Sequence, residues 1–221
     1  MSAYKIVTTR DNSHTLIHPR FNEHYHSVFG AIQESEHVFI QSGLAFLPHE
    51  KKTIHVLELG FGTGLNALLS YLWSLKNDVK ICYTGLEAYP VPVSLAAKLN
   101  YHELVDVSLE VFMKMHSNKK ASTSITEHFM LTRIKDRIEY FEPENSKYDV
   151  VFFDAFSPET QPELWTEVIF KKLYRSLKNG GVLTTYSTKG IVKRAMKSSG
   201  FIIEKLPGPP GKREILRAIK L

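Results

Sequence analysis

Several features that would indicate a particular class of protein are scarce or missing in this chain of 221 residues. Cys82 is the only cysteine, so no internal disulfide can form, and its strand-like surroundings indicate a small core residue rather than a reactive thiol. No apolar run approaches the roughly 20 residues of a membrane-spanning helix, and the polar N-terminus has no apolar signal segment. We therefore expect a cytoplasmic protein.

Two kinds of catalytic signature are also missing. The ten histidines include His24 and His26, but these have neither H-E-x-x-H spacing nor cysteine partners, so we expect no metal. No G-x-S-x-G elbow, which carries the nucleophilic serine of many hydrolases, is present.

The net charge of +5 favours polyanionic partners, although many basic proteins never bind nucleic acid.

The hydrophobic pattern predicts an α/β protein with a largely parallel sheet. Residues 1–50 read as an N-terminal extension that packs on the core, with a small hairpin (4–9 and 14–18) and a helix around 32–42. Residues 51–221 alternate strand and helix and form the main domain. The predicted strands are 54–59, 80–87, 129–134, 148–153, 181–187, 201–206 and 214–219. Residues 103–127 are expected to be mostly helical, with 117–126 as a loop.

A glycine-rich turn follows the first strand of the main domain. In Val56-Leu57-Glu58-Leu59-Gly60-Phe61-Gly62-Thr63-Gly64 the glycines permit positive φ and the close approach of a ligand, and the next helix directs free N–H groups there. The pattern favours a nucleoside-containing cofactor, with a plain tight turn as the alternative.

Two acids follow the next strands. Glu87, about 20 residues past the turn, can accept hydrogen bonds from ribose hydroxyls, as in both NAD enzymes and S-adenosylmethionine (SAM) methyltransferases. Asp136 is the candidate partner of an adenine amino group. Either acid could instead be a solvated strand end.

Asp154 ends an all-apolar strand, Val150-Val151-Phe152-Phe153, at the same predicted sheet edge. This position suits a catalytic carboxylate, and the alternative is a cap of the next turn. Phe156 and Pro158 could hold a flat base and its amine, whereas Trp165 lies on an apolar helix stripe and is expected in the core.

Lys212 and Arg213 lie in the loop between the last two strands. Two cations at this edge suit contact with a phosphate backbone, although an ordinary solvated loop has the same composition.

Together these motifs resemble a known family. Leu57-Glu58-Leu59-Gly60-Phe61-Gly62-Thr63-Gly64-Leu65-Asn66, Phe153-Asp154-Ala155-Phe156-Ser157-Pro158 and Gly211-Lys212-Arg213-Glu214 are similar to signatures of the bacterial tRNA 5-methylaminomethyl-2-thiouridine methyltransferases, the MnmC type. Thr185-Tyr186-Ser187-Thr188-Lys189-Gly190 and the segment from Tyr25-His26-Ser27 also match. The chain is too short for the flavin-dependent oxidase often fused to them, so it resembles a stand-alone methyltransferase.

The resemblance implies a Rossmann-like, seven-stranded SAM-dependent methyltransferase sheet with a terminal antiparallel strand pair. It implies methyl transfer from SAM to 5-aminomethyl-(2-thio)uridine at the wobble position of tRNA, with Asp154 as the catalytic residue. The implied cofactor-binding residues are Glu58, Gly60, Phe61, Gly62, Thr63, Gly64, Asn66, Glu87 and Asp136. The implied substrate-binding residues are Phe156, Pro158, Lys212 and Arg213.

Two alternatives stay open. One is a small-molecule amine methyltransferase or aminopropyltransferase of the same fold, which predicts an acid-rich cavity for a polycation. The other is a non-catalytic RNA-binding protein, which would tolerate loss of the Asp154 carboxylate.

Overall fold

A computed structural model describes residues 4–48, 50–117 and 122–221. The strands are β1 (Lys5–Thr8), β2 (His14–Ile17), β3 (Thr53–Leu59), β4 (Lys80–Leu86), β5 (Ser122–Thr126), β6 (Phe129–Ile134), β7 (Tyr148–Phe153), β8 (Leu177–Thr185), β9 (Ile202–Pro207) and β10 (Glu214–Ile219). The α-helices are α1 (Ala31–Ser35), α2 (Leu65–Asn77), α3 (Val93–Ala96), α4 (Tyr101–Leu104), α5 (Leu109–His116), α6 (Glu167–Ser176) and α7 (Gly190–Ser198). Shorter turns are the π-helical Glu36–Gln41 and the 3₁₀-helical Leu44–Phe46 and Pro162–Leu164. Within these ranges no helix is long and apolar enough to cross a membrane.

The central sheet is mixed and mainly parallel, as the sequence predicts. Its strand order is β5-β6-β4-β3-β7-β8-β10-β9. The strands from β6 to β8 are parallel, β10 is antiparallel to both β8 and β9, and β5 is antiparallel to β6. After β3 the chain builds one half of the sheet and then crosses to β7, so the carboxyl ends of β3 and β7 lie at the switch point where ligands bind in such sheets.

Two hydrophobic layers cover the faces of the sheet. Every residue of β7 is buried, and its alternate side chains face opposite layers. Val150 and Phe152 join one cluster, with residues of α2 and of the N-terminal segment, whereas Val151 and Phe153 join the other, with residues of α6 and α7. This double coverage explains why the strand reads as a continuous apolar run.

The N-terminal segment packs into the core of the sheet. The hairpin β1–β2 forms where it is predicted, and the helix predicted around 32–42 is built from α1 and the π-helical turn after it. Leu16 and Phe39 are buried in the same cluster as Val56 of β3. The division into an extension (1–50) and a domain (51–221) stays a prediction.

The sequence-based prediction was wrong in several details. Ser122–Thr126 is a strand rather than part of a loop, so the sheet has eight strands instead of seven; residues 118–121 of that predicted loop lie outside the described residues. The turn at 127–128 lets β5 pair antiparallel with β6, and the polar Ser and Thr residues suit a partly solvated edge strand. Of the described residues between 103 and 127, only the end of α4 and the helix α5 are α-helical, so this segment is less helical than predicted. Trp165, which was predicted to lie on a helix stripe, ends a 3₁₀ turn, and the helix α6 begins after it at Glu167.

Candidate active site

A cavity of about 370 Å³ lies at the carboxyl ends of β3, β4 and β7. Its walls come from the glycine turn, the segments after β4 and β7, and N-terminal residues between Glu23 and Glu34. Ten of the predicted site residues line it: Gly60, Phe61, Gly62, Thr63, Asn66, Glu87, Asp136, Asp154, Phe156 and Lys212. The structure thus brings together residues that span 153 positions of the sequence.

Four predicted site residues do not line this cavity. Glu58 is fully buried behind its wall, and Gly64 precedes α2 as the helix N-cap. Pro158 and Arg213 line a second cavity of about 330 Å³, which shares Tyr186 and Lys212 with the first. The predicted substrate residues therefore divide between two adjacent spaces.

The glycine turn requires glycine at Gly60 and Gly62. Gly60 has φ of +88°, and a Cβ there would overlap the backbone carbonyl of Asp154. Gly62 has φ of +48°, and a Cβ there would lie 2.9 Å from the ring of Tyr25. Both are left-handed conformations that favour glycine. The turn can therefore approach both the β7 edge and the N-terminal segment closely.

Two buried histidines hold Thr63 in this turn. His26 Nε2 and Thr63 Oγ1 share a hydrogen bond of 2.8 Å, and His116 Nε2 donates to the Thr63 carbonyl over 3.1 Å. Burial lowers the pKa of His26 to about 4 and that of His116 to about 3. Both rings are therefore neutral at physiological pH. Of the two histidines considered as metal ligands, His24 and His26, the second instead contacts the glycine turn.

Glu87 fixes the turn from the β4 side. Its Oε2 accepts the Gly62 N–H over 2.8 Å, and its Oε1 accepts the Tyr89 N–H over 2.7 Å. Burial raises the pKa of this carboxyl group, and the two N–H donors partly offset that shift. Each carboxylate oxygen has a further lone pair, so Glu87 can still accept hydrogen bonds from ribose hydroxyls.

An apolar side chain and a carboxylate lie near each other in the cavity wall that includes Glu87. Ile138 is buried and lines the cavity next to Asp136, whose Oδ1 accepts the Arg137 N–H over 2.8 Å. An apolar wall with an adjacent carboxylate suits an adenine ring and its amino group.

Asp154 faces the cavity from the end of β7. Its Oδ2 accepts a hydrogen bond of 2.9 Å from Asn66 Nδ2, and the same amide nitrogen donates to Glu58 Oε1 over 2.8 Å. Removal from bulk water, reinforced by the negative charge of Glu34, raises the pKa of Asp154 to about 8. Burial, reinforced by the charge of Asp154, raises the pKa of Glu58 to about 8. A cation placed here would favour the ionised forms of both.

Aromatic rings form one wall of the cavity. Phe156 lies 5.1 Å from Tyr25 between ring centroids, and its carbonyl accepts the indole N–H of Trp165, which is buried in the core as expected. The hydroxyl group of Tyr186 donates to the Ala155 carbonyl over 2.8 Å. These contacts fix a ring wall that can stack on a nucleobase.

Lys212 is not free for a phosphate. Its ammonium nitrogen lies 2.6 Å from Glu34 Oε1 and 4.2 Å from the centroid of the Tyr186 ring. The neighbouring Gly211 packs against the ring of Phe29. Lys212 therefore joins the β9–β10 loop to the N-terminal segment above the cavity.

Sequence reasoning did not identify His26, His116, Glu34 or Tyr186 as part of the site. Only the family resemblance singled out the segments that contain His26, Glu34 and Tyr186. No local pattern marks His116, which reaches the turn from α5.

The fold and the cavity define an enzyme class that binds a nucleoside-containing cofactor. The glycine turn, the carboxylate of Glu87 and the buried acids that favour a cation fit SAM, and Asn66 Oδ1 is a buried acceptor with no partner among the described residues. A sequence model of the S-adenosyl-L-methionine-dependent methyltransferase family matches residues 98–221. The chain belongs to this family.

The similar proteins include longer, curated ones. The tRNA 5-methylaminomethyl-2-thiouridine biosynthesis bifunctional protein MnmC of Pseudomonas putida (strain GB-1) is 31% identical over 216 residues, covering 89% of this chain and 32% of that protein. The MnmC protein of Burkholderia multivorans is 27% identical over 216 residues, covering 91% of this chain and 33% of that protein. The chain thus spans about a third of the length of these curated relatives.

Solved structures give the same fold. The crystal structure of MNMC2 from Aquifex aeolicus superposes with a TM-score of 0.79 at 28% identity, covering 99% of this chain and 70% of that one. Spermidine synthase from Thermotoga maritima gives a TM-score of 0.58 at 12% identity, covering 99% of this chain and 79% of that one, which shows a shared fold alone.

Proposed function

We propose that this methyltransferase transfers the methyl group of SAM to the amine of 5-aminomethyl-(2-thio)uridine at the wobble position of tRNA. The product is 5-methylaminomethyl-(2-thio)uridine. The observation that carries the proposal is the Asp154 carboxylate, placed between the glycine turn and the aromatic wall of Phe156. The names of the MnmC relatives, which refer to biosynthesis of this nucleoside, support the choice of substrate. Such a substrate agrees with the cytoplasmic location expected from the sequence.

Asp154 has the properties that the chemistry needs. A bound SAM supplies an electrophilic methyl group on a sulfonium, and the amine must be neutral to attack it. Burial raises the pKa of Asp154, but the sulfonium charge of bound SAM would favour its ionised form, and this carboxylate would accept a hydrogen bond from the neutral amine. The N–C bond would form as the C–S bond breaks, with S-adenosylhomocysteine as the leaving group, and the ionised carboxylate of Asp154 would stabilise the positive charge that develops on nitrogen.

The remaining site residues are assigned by position. Gly60, Gly62, Thr63 and Glu87 would hold the cofactor backbone and ribose, with Asp136 near the adenine. Phe156 and Tyr186 would hold the uracil ring. Pro158 and Arg213, in the second cavity, would contact the adjoining nucleotide or its phosphate.

A second candidate function is favoured by the charge of the first cavity. Among the described residues that line it are seven carboxylates, namely Glu23, Glu34, Glu87, Asp136, Glu139, Asp154 and Glu163. The cations there are Arg137 and Lys212. Such an acid-rich space also suits a small polyamine, as an aminopropyltransferase or a small-molecule amine methyltransferase requires.

The test is transfer of labelled methyl from SAM to tRNA with or without aminomethyl wobble uridine. We expect label only on the aminomethylated tRNA, and Asp154→Asn should lower the rate by roughly 10²- to 10⁴-fold while tRNA still binds. Transfer to spermidine-like amines but not to tRNA would support the second candidate. An unaffected Asp154→Asn protein would contradict a catalytic role for this residue.

A further inference from the structure

Glu58 occupies an unusual place for an acid in a cofactor motif. Its side chain has 0% exposure and does not line the cavity, so it cannot touch a bound cofactor without a change in structure. Its Oε1 accepts a hydrogen bond from the amide of Asn66, whose nitrogen also donates to Asp154, and the hydroxyl group of Tyr83 lies beside the same carboxyl group. An isolated buried carboxyl group costs free energy, so this placement needs an explanation.

Asn66 is held between two acceptors. Both contacts use Nδ2, which has two hydrogens, so each hydrogen can serve one carboxylate. Asn66 lies in the first turn of α2, where its side chain is 2% exposed. With Glu58 fixed on β3, the amide orientation is determined, and the position of Oδ2 of Asp154 is determined in turn.

We propose that Glu58 is a positioning residue that acts through Asn66 to hold the Asp154 carboxylate in its reactive orientation, without contacting the cofactor. The effect of Glu58 on the rate of methyl transfer rests on the proposed function, whereas its effects on SAM binding and on the ionisation of Asp154 do not.

The charged groups around the pair come from several elements. Tyr83 of β4 and Glu87 after β4 lie on one side of Glu58. Glu34 of α1, Glu87 and Lys212 of the β9–β10 loop act on Asp154. Of these, Lys212 alone carries a positive charge, and it is already paired with Glu34. The ionisation of Glu58 therefore opposes that of Asp154, and the two groups titrate as a coupled pair.

Two substitutions separate positioning from cofactor contact. Glu58→Gln can keep an oxygen that accepts the Asn66 hydrogen but cannot ionise, whereas Glu58→Ala removes the acceptor. We expect Glu58→Ala to lower kcat by about tenfold to a hundredfold because Asp154 loses its fixed orientation, and Glu58→Gln to recover most of that loss. The Kd for SAM, measured by calorimetry without tRNA, should stay within about threefold of the parent value in both variants.

A third readout needs no methyl acceptor. NMR titration of protein labelled with ¹³C at the aspartate carboxyl groups should show a lower pKa for Asp154 in Glu58→Gln than in the parent protein, because a neighbouring negative charge is gone. If the parent protein methylates no tRNA, the proposed function fails, while this titration and the Kd still decide the role of Glu58.

Asp149 provides the matched control. It is a buried carboxylate at the start of β7, the opposite end from Asp154, and it pairs with Lys51 and Lys178. Asp149→Asn should lower the melting temperature but leave kcat and the Asp154 titration unchanged. Equal weakening of SAM binding by both Glu58 variants, an unaltered Asp154 pKa, or no recovery of kcat in Glu58→Gln would each overturn the proposal.

Discussion

At the residue scale, the site depends on backbone positions that tolerate only glycine and on acids that are kept partly protonated. Gly60 lets the cofactor turn touch the carbonyl of Asp154, and Asn66 connects the acids of two strands. These contacts link the cofactor turn directly to the proposed catalytic residue. A substitution in the cofactor turn should therefore also alter the position of Asp154.

Gly60→Ala should damage the site far more than Gly180→Ala. Both glycines have positive φ, at +88° and +74°, so each alanine costs roughly 1–2 kcal/mol in the left-handed region. A Cβ at Gly180 meets nothing within 4 Å, whereas one at Gly60 overlaps the Asp154 backbone. Calorimetric titration with SAM should show lost binding for Gly60→Ala only. Equal SAM affinity in the two variants would contradict the close approach.

The raised pKa of Glu58 makes stability depend on pH in a defined direction. Its pKa of about 8 in the folded protein lies above the ordinary value of 4.5, so folding is disfavoured as pH rises between these values. Glu58→Gln should therefore lose less stability than the parent protein between about pH 4.5 and pH 8. Urea unfolding at both pH values measures this difference in the free energy of unfolding. An equal loss of stability in the parent and Glu58→Gln proteins would contradict a raised pKa for Glu58.

At the element scale, the cofactor turn is held from outside by two segments distant in sequence. His26 reaches Thr63 from the N-terminal segment, and His116 reaches it from α5. The turn was predictable because its glycines and flanking strand are local signals. These partners were not, because the contacts depend on how the N-terminal segment and α5 pack onto the sheet.

His26→Ala should raise KM for SAM by about tenfold with a smaller change in kcat, since one buried hydrogen bond contributes roughly 1–1.5 kcal/mol. Steady-state kinetics with saturating acceptor measures both constants. His128→Ala, at a partly exposed ring near Glu127, is the control and should change neither. A fall in kcat alone would contradict a role in holding the cofactor turn.

The hydrophobic pattern predicted most strands of the central sheet but not the edge strand β5. The buried runs of β3 and β7 and the antiparallel pair β9–β10 were predicted from alternating or continuous apolar residues. β5 was missed because Ser122–Thr126 has a polar composition typical of a loop, and it becomes a strand by pairing with β6. Edge strands depend on their partner more than on their own apolar residues.

At the scale of the whole molecule, charge is divided between the cavities. The charged residues of the first are mostly carboxylates, whereas the second has the cations Lys189, Arg213 and the shared Lys212 beside two acids, Glu159 and Glu214. Lys189 and Lys212 pair with Glu159 and Glu34, so the exposed Arg213 is the better candidate for a phosphate. This arrangement suits an amine directed into the first cavity and a backbone held outside it.

Arg213→Gln should weaken tRNA binding and reduce its dependence on salt. Removing one phosphate contact lowers the slope of log K against log salt by about 0.7 to 0.9. Lys80→Gln, at the start of β4 and the opposite edge of the sheet, removes the same charge and should leave the slope unchanged. Equal slopes for parent, Arg213→Gln and Lys80→Gln proteins would exclude Arg213 from the phosphate contacts.

Nucleoside mass spectrometry of tRNA detects methyl transfer to an aminomethyl wobble uridine itself. tRNA that carries aminomethyl uridine is incubated with the protein and SAM, digested and compared with a sample treated with Asp154→Asn protein. We expect a gain of one methyl group on that nucleoside alone, and only with the parent protein. Bound SAM with no change in any tRNA nucleoside would show that the aminomethyl uridine is not the methyl acceptor.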